Sequence, residues 1–290
     1  MRAADYLQFV LSGITMGSIY AIVALSFTII FNATGVVNFA QGDFAMVAGL
    51  TAASLAGAGL PVLVAVGIAL LVTGAVGAVV YAATVAPIPR APHFTAIAVT
   101  IGVSIVLQKC AQFVWGTDSY TLPSVGGQQP VAIAGATITP HALLILAAAA
   151  LLMALLYLFF KYTRRGQALM ACADNREAAG LVGIDVRWMR FQAYVLGCLL
   201  GALAGILVTP VMTMSNTAGL ALTLKGFSAS VLGGFGSAVG AVMGGLVLGL
   251  LEALSAGLLS SSYQNLIALV AVVLILMFRS GGILGTRALH

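Results

Sequence analysis

The chain has 290 residues, of which 61% are hydrophobic and only 7% are charged, and its mean hydropathy is +1.13. Soluble domains carry about a quarter charged residues, so this chain has too few charges to cover a surface that faces water. Its net charge of +5 rests on only 12 Lys and Arg residues, which are too few for a nucleic-acid-binding surface. The composition excludes an ordinary soluble domain and indicates a polytopic membrane protein.

Long uncharged tracts predict the membrane helices, because about 20 apolar residues are needed to cross the hydrocarbon core of a bilayer. In chain order the predicted segments are roughly 7–31, 36–58, 62–86, 94–115, 140–160, 190–209, a composite region 218–257, and 262–279. The composite region suits two short crossings or a re-entrant pair better than one long helix. The sequence therefore predicts an all-α transmembrane helical bundle of about eight spans, some broken or re-entrant, in one domain over residues 1–290.

Glycines four residues apart predict where helices pack. Residues at this spacing share one helix face, and small residues let two helix backbones approach closely. The sets are Gly13/Gly17, Gly197/Gly201/Gly205 and Gly236/Gly240/Gly244.

The basic residues predict which connections lie on which side of the membrane. The segment 161–190 contains six of the twelve basic residues, and short basic loops stay in the cytoplasm. The connection 116–139 contains Asp118 and no Lys or Arg, so we predict that it is periplasmic. The side of the N-terminus depends on whether 36–58 spans the membrane fully or is re-entrant.

The stretch GVVNFAQGDFAMVAGL at residues 35–50 places Asn38, Gln41 and Asp43 within six residues of an otherwise apolar region. Its glycines, including Gly42, permit breaks in the backbone. Irregular backbone at membrane depth persists only where it is buried in protein or lines a water-filled cavity. We hypothesise that this is a broken segment beside the solute pathway, with Asn38 and Gln41 nearest the path. The candidate substrate-pathway residues are Asn38, Gln41, Gly42 and Asp43.

The segment 161–190, KYTRRGQALMACADNREAAGLVGIDVRWMR, also predicts a short amphipathic helix. Glu177 and the two alanines after it favour a helix start, Gly183 gives a stop, and Leu181, Val182 and Ile184 would be exposed. Such a helix could dock on another protein. Alternatively, the segment is a basic loop that holds the topology through lipid head groups. Charge and residue pattern support these two interpretations equally.

Motifs for nucleotide and hydrolytic chemistry are missing from the sequence. Lys109, Lys161 and Lys225 are followed by Cys, Tyr and Gly, so the chain has no nucleotide-binding P-loop of its own. There is no H-E-x-x-H and no G-x-S-x-G, and the three cysteines lack metal-binding spacing. We predict a protein that is not an enzyme, with no cofactor and no metal. A further interpretation, an integral membrane enzyme or scaffold, is not supported by any particular residues of the sequence.

Four segments in matching order carry a resemblance to a known family. They are G-S-I-Y-A-I-V-A-L at 17–25, G-V-V-N-F-A-Q-G-D-F at 35–44, E-A-A-x-x-x-G at 177–183 and V-L-G-G-F-G-S-A-V-G-A-V-M-G-G at 231–245. Together they resemble the branched-chain amino-acid ABC transporter permease family, in particular its LivH-like inner-membrane subunit, from about residue 7 to residue 285. The family commonly has His at the position of Gln41 and Gly at that of Asn32. Relatives with this architecture also carry urea, short amides and other amino acids.

The resemblance implies a multi-pass permease of the bacterial inner (plasma) membrane that translocates branched-chain or related amino acids. Its implied partners are a related second permease subunit, two ATP-binding subunits that hydrolyse ATP, and a periplasmic solute-binding protein. E-A-A-x-x-x-G then corresponds to the coupling loop that docks on the ATPase subunit. The predicted coupling residues are Arg164, Arg165, Glu177, Ala178, Ala179 and Gly183.

An alternative function is a secondary transporter or channel for small polar solutes, driven by an ion gradient. Asp43 and Glu252 support it, because ionisable residues in membrane segments often mark ion or proton paths. Each also has a simpler interpretation. Asp43 would cap the start of the following helix, and Glu252 would lie near a helix end and reach the interface.

Overall fold

The computed structural model describes residues 3–87, 92–124, 130–133, 135–258, 264–278 and 281–284. These residues are mostly helical, which confirms the predicted all-α class. The helices are α1 (Ala3–Thr34), α2 (Gln41–Gly57), α3 (Val62–Val80, continued by a π-helical turn Tyr81–Val85), α4 (His93–Trp115), α5 (Pro140–Tyr162), α6 (Arg164–Asp174), α7 (Arg176–Leu181), α8 (Val186–Val208), α9 (Ala218–Gly233), α10 (Ala238–Leu258) and α11 (Gln264–Phe278).

Among the described helices, six are long enough and apolar enough to cross a membrane: α1, α3 with its π-helical turn, α4, α5, α8 and α10. The helices α2, α9 and α11 are shorter, with 17, 16 and 15 residues. The composite region 218–257 is two helices, α9 and α10, as predicted. Gly234 and Gly236 separate them with φ of +109° and +94°, a backbone conformation that glycine adopts at little cost.

The connection 116–139 contains regular structure that the sequence did not predict. Strand β1 (Val131–Ile133) pairs antiparallel with β2 (Ala136–Ile138), with Val131 opposite Ile138. Gly135 turns the chain between the two strands with φ of +88°. Such three-residue strands are too short for their residue pattern to predict them. Residues 125–129 and 134 of this connection lie outside the described chain.

Contacts within the chain define two compact units. The first contains residues 1–28, 123–149 and 224–290. Here α1 packs on α10 through the predicted glycine ridge: a Cβ on Gly13 would lie 2.9 Å from Cα of Leu250, and one on Gly17 would lie 2.9 Å from Cα of Leu246. The small-residue ridge therefore permits near-contact of the two backbones.

The second unit contains residues 29–122 and 150–223. Its centre is α2, which packs against α3, α4 and α8. Gly205 of α8 meets the carbonyl of Ala45 so closely that a side chain could not fit there. Phe44 and Tyr81 pack against the ring of Tyr194 in a buried aromatic cluster. This packing fixes the start of α2, where the candidate pathway residues lie.

Candidate functional site

The backbone break predicted near residue 35 lies between α1 and α2. Helix α1 ends at Thr34, and residues 35–40 are non-helical. Gly35 has φ of +73°, a left-handed conformation that costs other residues roughly 1–2 kcal/mol. A Cβ at this position would lie 3.0 Å from Nη2 of Arg176. The break is therefore set by one glycine, and the guanidinium of Arg176 packs against it.

Asn38 and Gln41 satisfy the backbone and side-chain groups that the break leaves free. Asn38 Oδ1 accepts a hydrogen bond from Ala40 N at 3.2 Å, and its Nδ2 donates to Tyr194 Oη at 3.1 Å and to Gln41 Oε1 at 3.3 Å. Gln41 Nε2 donates to the Gly197 carbonyl at 2.8 Å. Both side chains are buried, with exposures of 2% and 0%. These two amides tie the irregular segment to α8.

Asp43 does not cap α2, so that prediction is wrong. The capping position is occupied by Ala40, which offers no side-chain acceptor, and Asp43 lies inside the first turn. Its carboxylate is fully buried, and Oδ1 accepts a hydrogen bond from Gln108 Nε2 at 3.2 Å. Oδ2 accepts none from the part of the chain that the structure describes.

Gly42 lies within helix α2, so the prediction that it breaks the backbone is also wrong. Its N–H donates to Thr223 Oγ1 at 2.9 Å. A side chain at this position would collide with the Gly219 carbonyl and the backbone of Thr223. The glycine therefore serves close packing of α2 against the first part of α9.

The segment after α5 forms two short helices, each with a side-chain cap. Thr163 Oγ1 accepts a hydrogen bond from Gly166 N at 3.0 Å at the start of α6, and Asn175 Oδ1 accepts one from Ala178 N at 3.0 Å at the start of α7. Such caps satisfy backbone N–H groups that lack a partner in the first turn. Gly183 follows α7 with φ of +87°. The predicted short helix and its glycine stop are both present.

Of the three apolar residues expected to be exposed on this segment, Leu181 and Val182 are exposed and Ile184 is half-buried. Leu181 and Val182 are 88% and 77% exposed, and Glu177 and Ala178 are exposed beside them. Ala179 is buried, so its methyl group is not part of this surface. Arg164 and Arg165, at the start of α6, are both exposed. Five of the six predicted coupling residues are exposed: Arg164, Arg165, Glu177, Ala178 and Gly183.

The sequence analysis missed Arg176. It begins α7, and its guanidinium reaches the break at Gly35. Burial lowers the pKa of Arg176, and the charge of nearby Arg190 lowers it further. Its place directly before E-A-A was visible in the sequence, but its contact with residue 35 depends on the folded chain.

The side chain of Glu252 does not reach outward from its helix, as one interpretation of the sequence expected. It is 2% exposed, and its carboxylate pairs with Lys225 Nζ at 2.8 Å. No three His, Cys, Asp or Glu side chains of the described ranges come together as a metal site would require.

Comparison with known proteins supports the class of protein that the helices define. A chain of "PsaBC from Streptococcus pneumoniae in complex with Fab" shares the fold with a TM-score of 0.52 at 14% identity, over 94% of this chain and 95% of that chain. The family described as "Branched-chain amino acid transport system / permease component" matches residues 9–278. The protein is thus the permease subunit of an ABC importer.

Similarity to individual relatives extends over almost the whole chain. The permease LivH of Escherichia coli K12 is 33% identical over 97% of this chain and 96% of its own length, and BraD of Pseudomonas aeruginosa is 31% identical over the same shares. The ribose import permease RbsC of Escherichia coli K12 is 30% identical over 75% of this chain and 66% of its own length. The chain belongs to the branched-chain amino-acid ABC transporter permease family. It is a multi-pass inner-membrane protein that works with ATP-binding and substrate-binding partners.

Proposed function

We propose that this permease translocates branched-chain or related amino acids that a periplasmic binding protein delivers. The observation that carries the proposal is the length of the match. Two relatives named as high-affinity branched-chain amino acid permeases align over 97% of the chain, whereas the ribose permease aligns over 75%.

The proposed assembly contains this subunit, a related second permease, two ATP-binding subunits and the binding protein. ATP hydrolysis belongs to the ATP-binding subunits, because this sequence has no P-loop. Residues 1–290 act as one permease domain, with 161–190 in the cytoplasm and 116–139 in the periplasm. Six basic residues in the first segment and none in the second support this orientation.

The ATPase-docking surface in this proposal is the exposed part of α6 and α7. Leu181 and Val182 supply apolar contact area, since exposed apolar side chains at the tip of a segment favour burial in a partner. Arg164 and Arg165 flank the contact, and Glu177, Ala178 and Gly183 shape it. Ala179 supports the helix from its buried side.

The substrate pathway in this proposal passes beside the break, with Asn38, Gln41, Gly42 and Asp43 as its nearest residues. The two amides bond to protein groups, and Asp43 Oδ2 accepts no hydrogen bond from the residues that the structure describes. ATP-driven movement of α7 would reach the break through Arg176, which packs against Gly35. Opening of the break would then release these polar groups towards the solute.

Competition for uptake tests the proposed substrate class. Cells that express the complete transporter should take up labelled leucine, and excess isoleucine or valine should reduce that uptake. Excess urea or acetamide should leave it unchanged, since neither carries the ammonium and carboxylate groups of an amino acid. Inhibition by urea or acetamide with no inhibition by isoleucine or valine would overturn the substrate assignment.

A further inference from the structure

A buried cluster in the first unit brings together side chains from four helices. Lys225 Nζ of α9 lies 2.8 Å from Oε1 and 2.9 Å from Oε2 of Glu252 in α10. The hydroxyl of Tyr20 in α1 donates to Glu252 Oε2 at 2.8 Å, and Gln264 Nε2 of α11 donates to the same oxygen at 3.3 Å. The side chain of Lys225 is 21% exposed and that of Glu252 only 3%.

The ion pair joins α9 to α10, and these two helices also pack through a close glycine contact. Removing two charges from water is expensive, and replacing a buried pair with apolar residues of similar size is often neutral or stabilising. A side chain at Gly244 of α10 would collide with the carbonyl of Ala229 in α9, so the two backbones already meet there. Ionisable residues within membrane helices are costly and frequently functional. The pair therefore calls for a role other than helix packing.

A cavity of about 330 Å³ has Glu252 in its wall. Its polar lining comes from Glu252, Gln264 and Ser12, and most of its other lining is apolar, including Phe9, Met16 and Ala253. Small-molecule sites are commonly cavities of about 300–1,000 Å³ with apolar walls and a few placed polar groups. This cavity is at the small end of that range and has one acidic group in its wall.

We propose that Glu252 and Lys225 bind the ammonium and carboxylate groups of a zwitterionic amino acid, whose aliphatic side chain occupies the adjoining cavity. This inference rests on the proposed function and adds its substrate-binding chemistry. The internal ion pair is exchanged for two ion pairs with the substrate, so the charge of the site is conserved. Tyr20 and Gln264 continue to donate hydrogen bonds to the carboxylate of Glu252. Neutral solutes such as urea, amides and sugars cannot make this exchange.

The first test removes both charges at once, so that neither is left buried without a partner. The double variant Lys225→Met with Glu252→Gln is assembled with the complete transporter in proteoliposomes. Labelled leucine uptake should fall at least about tenfold, since both charge-assisted interactions with the substrate are lost. Stimulation of ATP hydrolysis by the leucine-loaded binding protein should persist, because the docking surfaces are unchanged.

The charge-reversed variant Lys225→Glu with Glu252→Lys distinguishes substrate binding by this pair from a purely structural role, in which the pair only clamps α9 to α10. Reversal restores an ion pair, so a clamp would regain leucine uptake. The proposal predicts that uptake stays low, because a cation then lines the cavity where the substrate ammonium must bind. Wild-type uptake by either double variant would overturn the inference.

Filling the cavity provides a test that does not depend on the charges. Ala256 lines the cavity, and Ala256→Leu should lower leucine uptake at least about fivefold by occupying the side-chain space. The control Leu258→Met changes an exposed position of the same helix. Normal uptake by a folded Ala256→Leu variant would also overturn the inference. Absence of leucine uptake by the unsubstituted transporter would instead contradict the proposed function itself, and this inference with it.

Discussion

The hydrogen bonds of Asn38 account for a polar side chain in an apolar stretch of this chain. It closes a local hydrogen bond to Ala40 N and also contacts Tyr194, which is 156 residues away in sequence. Gln41 donates a hydrogen bond to the Gly197 carbonyl, which is also 156 residues away in sequence. Local sequence predicts that such amides must find partners, because buried polar groups are almost always hydrogen-bonded. It cannot identify partners on α8, since those depend on tertiary packing.

Replacement of Asn38 by Ala tests the pathway assignment. The N–H of Ala40 loses its acceptor, which costs about 1–3 kcal/mol for a buried donor, and the link to Tyr194 is lost. We expect a lower unfolding temperature and reduced leucine uptake by the assembled transporter. Asn216→Ala, at a half-buried position, is the matched control. Normal assembly together with normal uptake by Asn38→Ala would remove this residue from the pathway.

Gly183 provides a second test at the scale of one residue. Its φ of +87° is unfavourable for a β-branched residue by about 1–2 kcal/mol. No atom of a neighbouring described residue lies within 4 Å of where a Cβ would be. Gly183→Val should therefore act on the backbone after α7 and uncouple leucine uptake from ATP hydrolysis, with membrane insertion intact.

The control for this change is Gly180→Ala, where the nearest atom to a new Cβ is 4.0 Å away. Gly180 is helical, so the alanine should be accommodated and uptake should be retained. If uptake by Gly183→Val equals that of the wild type, the coupling role of this glycine is wrong.

At the scale of elements, the sequence predicts the long helices better than the irregular ones. Uncharged tracts and glycine positions are sufficient to predict α1, α8 and the division of 218–257 into two helices. The break at residues 35–40 was predicted from its glycines and polar side chains, but the wrong role was given to Gly42, because helical and non-helical glycines look alike in sequence. The contact of α7 with the break was not predictable, since it joins residues 35 and 176.

Arg176 tests whether α7 transmits movement to the break. Arg176→Met removes the guanidinium that packs against Gly35 and keeps an unbranched side chain. We expect ATP hydrolysis stimulated by the binding protein to persist while leucine uptake per ATP falls about fivefold or more, in the range of typical coupling energies. The measurement is the ratio of the two rates in proteoliposomes.

Arg187→Met is the control for this charge change, because Arg187 is exposed at the start of α8. It should leave the ratio near the wild-type value. Equal ratios for Arg176→Met and the wild type would show that the contact with Gly35 does not couple the two processes.

At the scale of the whole molecule, composition predicts a membrane bundle and the four sequence segments predict its family. The family match over residues 9–278 confirms both. The buried pair of Lys225 and Glu252 was outside that prediction. Lys225 and Glu252 are 27 positions apart on different helices, and nothing in the pattern of either helix indicates that they meet.

Leucine uptake into proteoliposomes that contain the complete transporter tests the central claim most directly. The account predicts that leucine accumulates only when ATP is supplied on the side of residues 161–190 and the loaded binding protein on the opposite side. Accumulation should continue when ionophores dissipate all ion gradients. Uptake that proceeds without ATP and collapses with an ionophore would contradict the account and favour an ion-gradient-driven transporter.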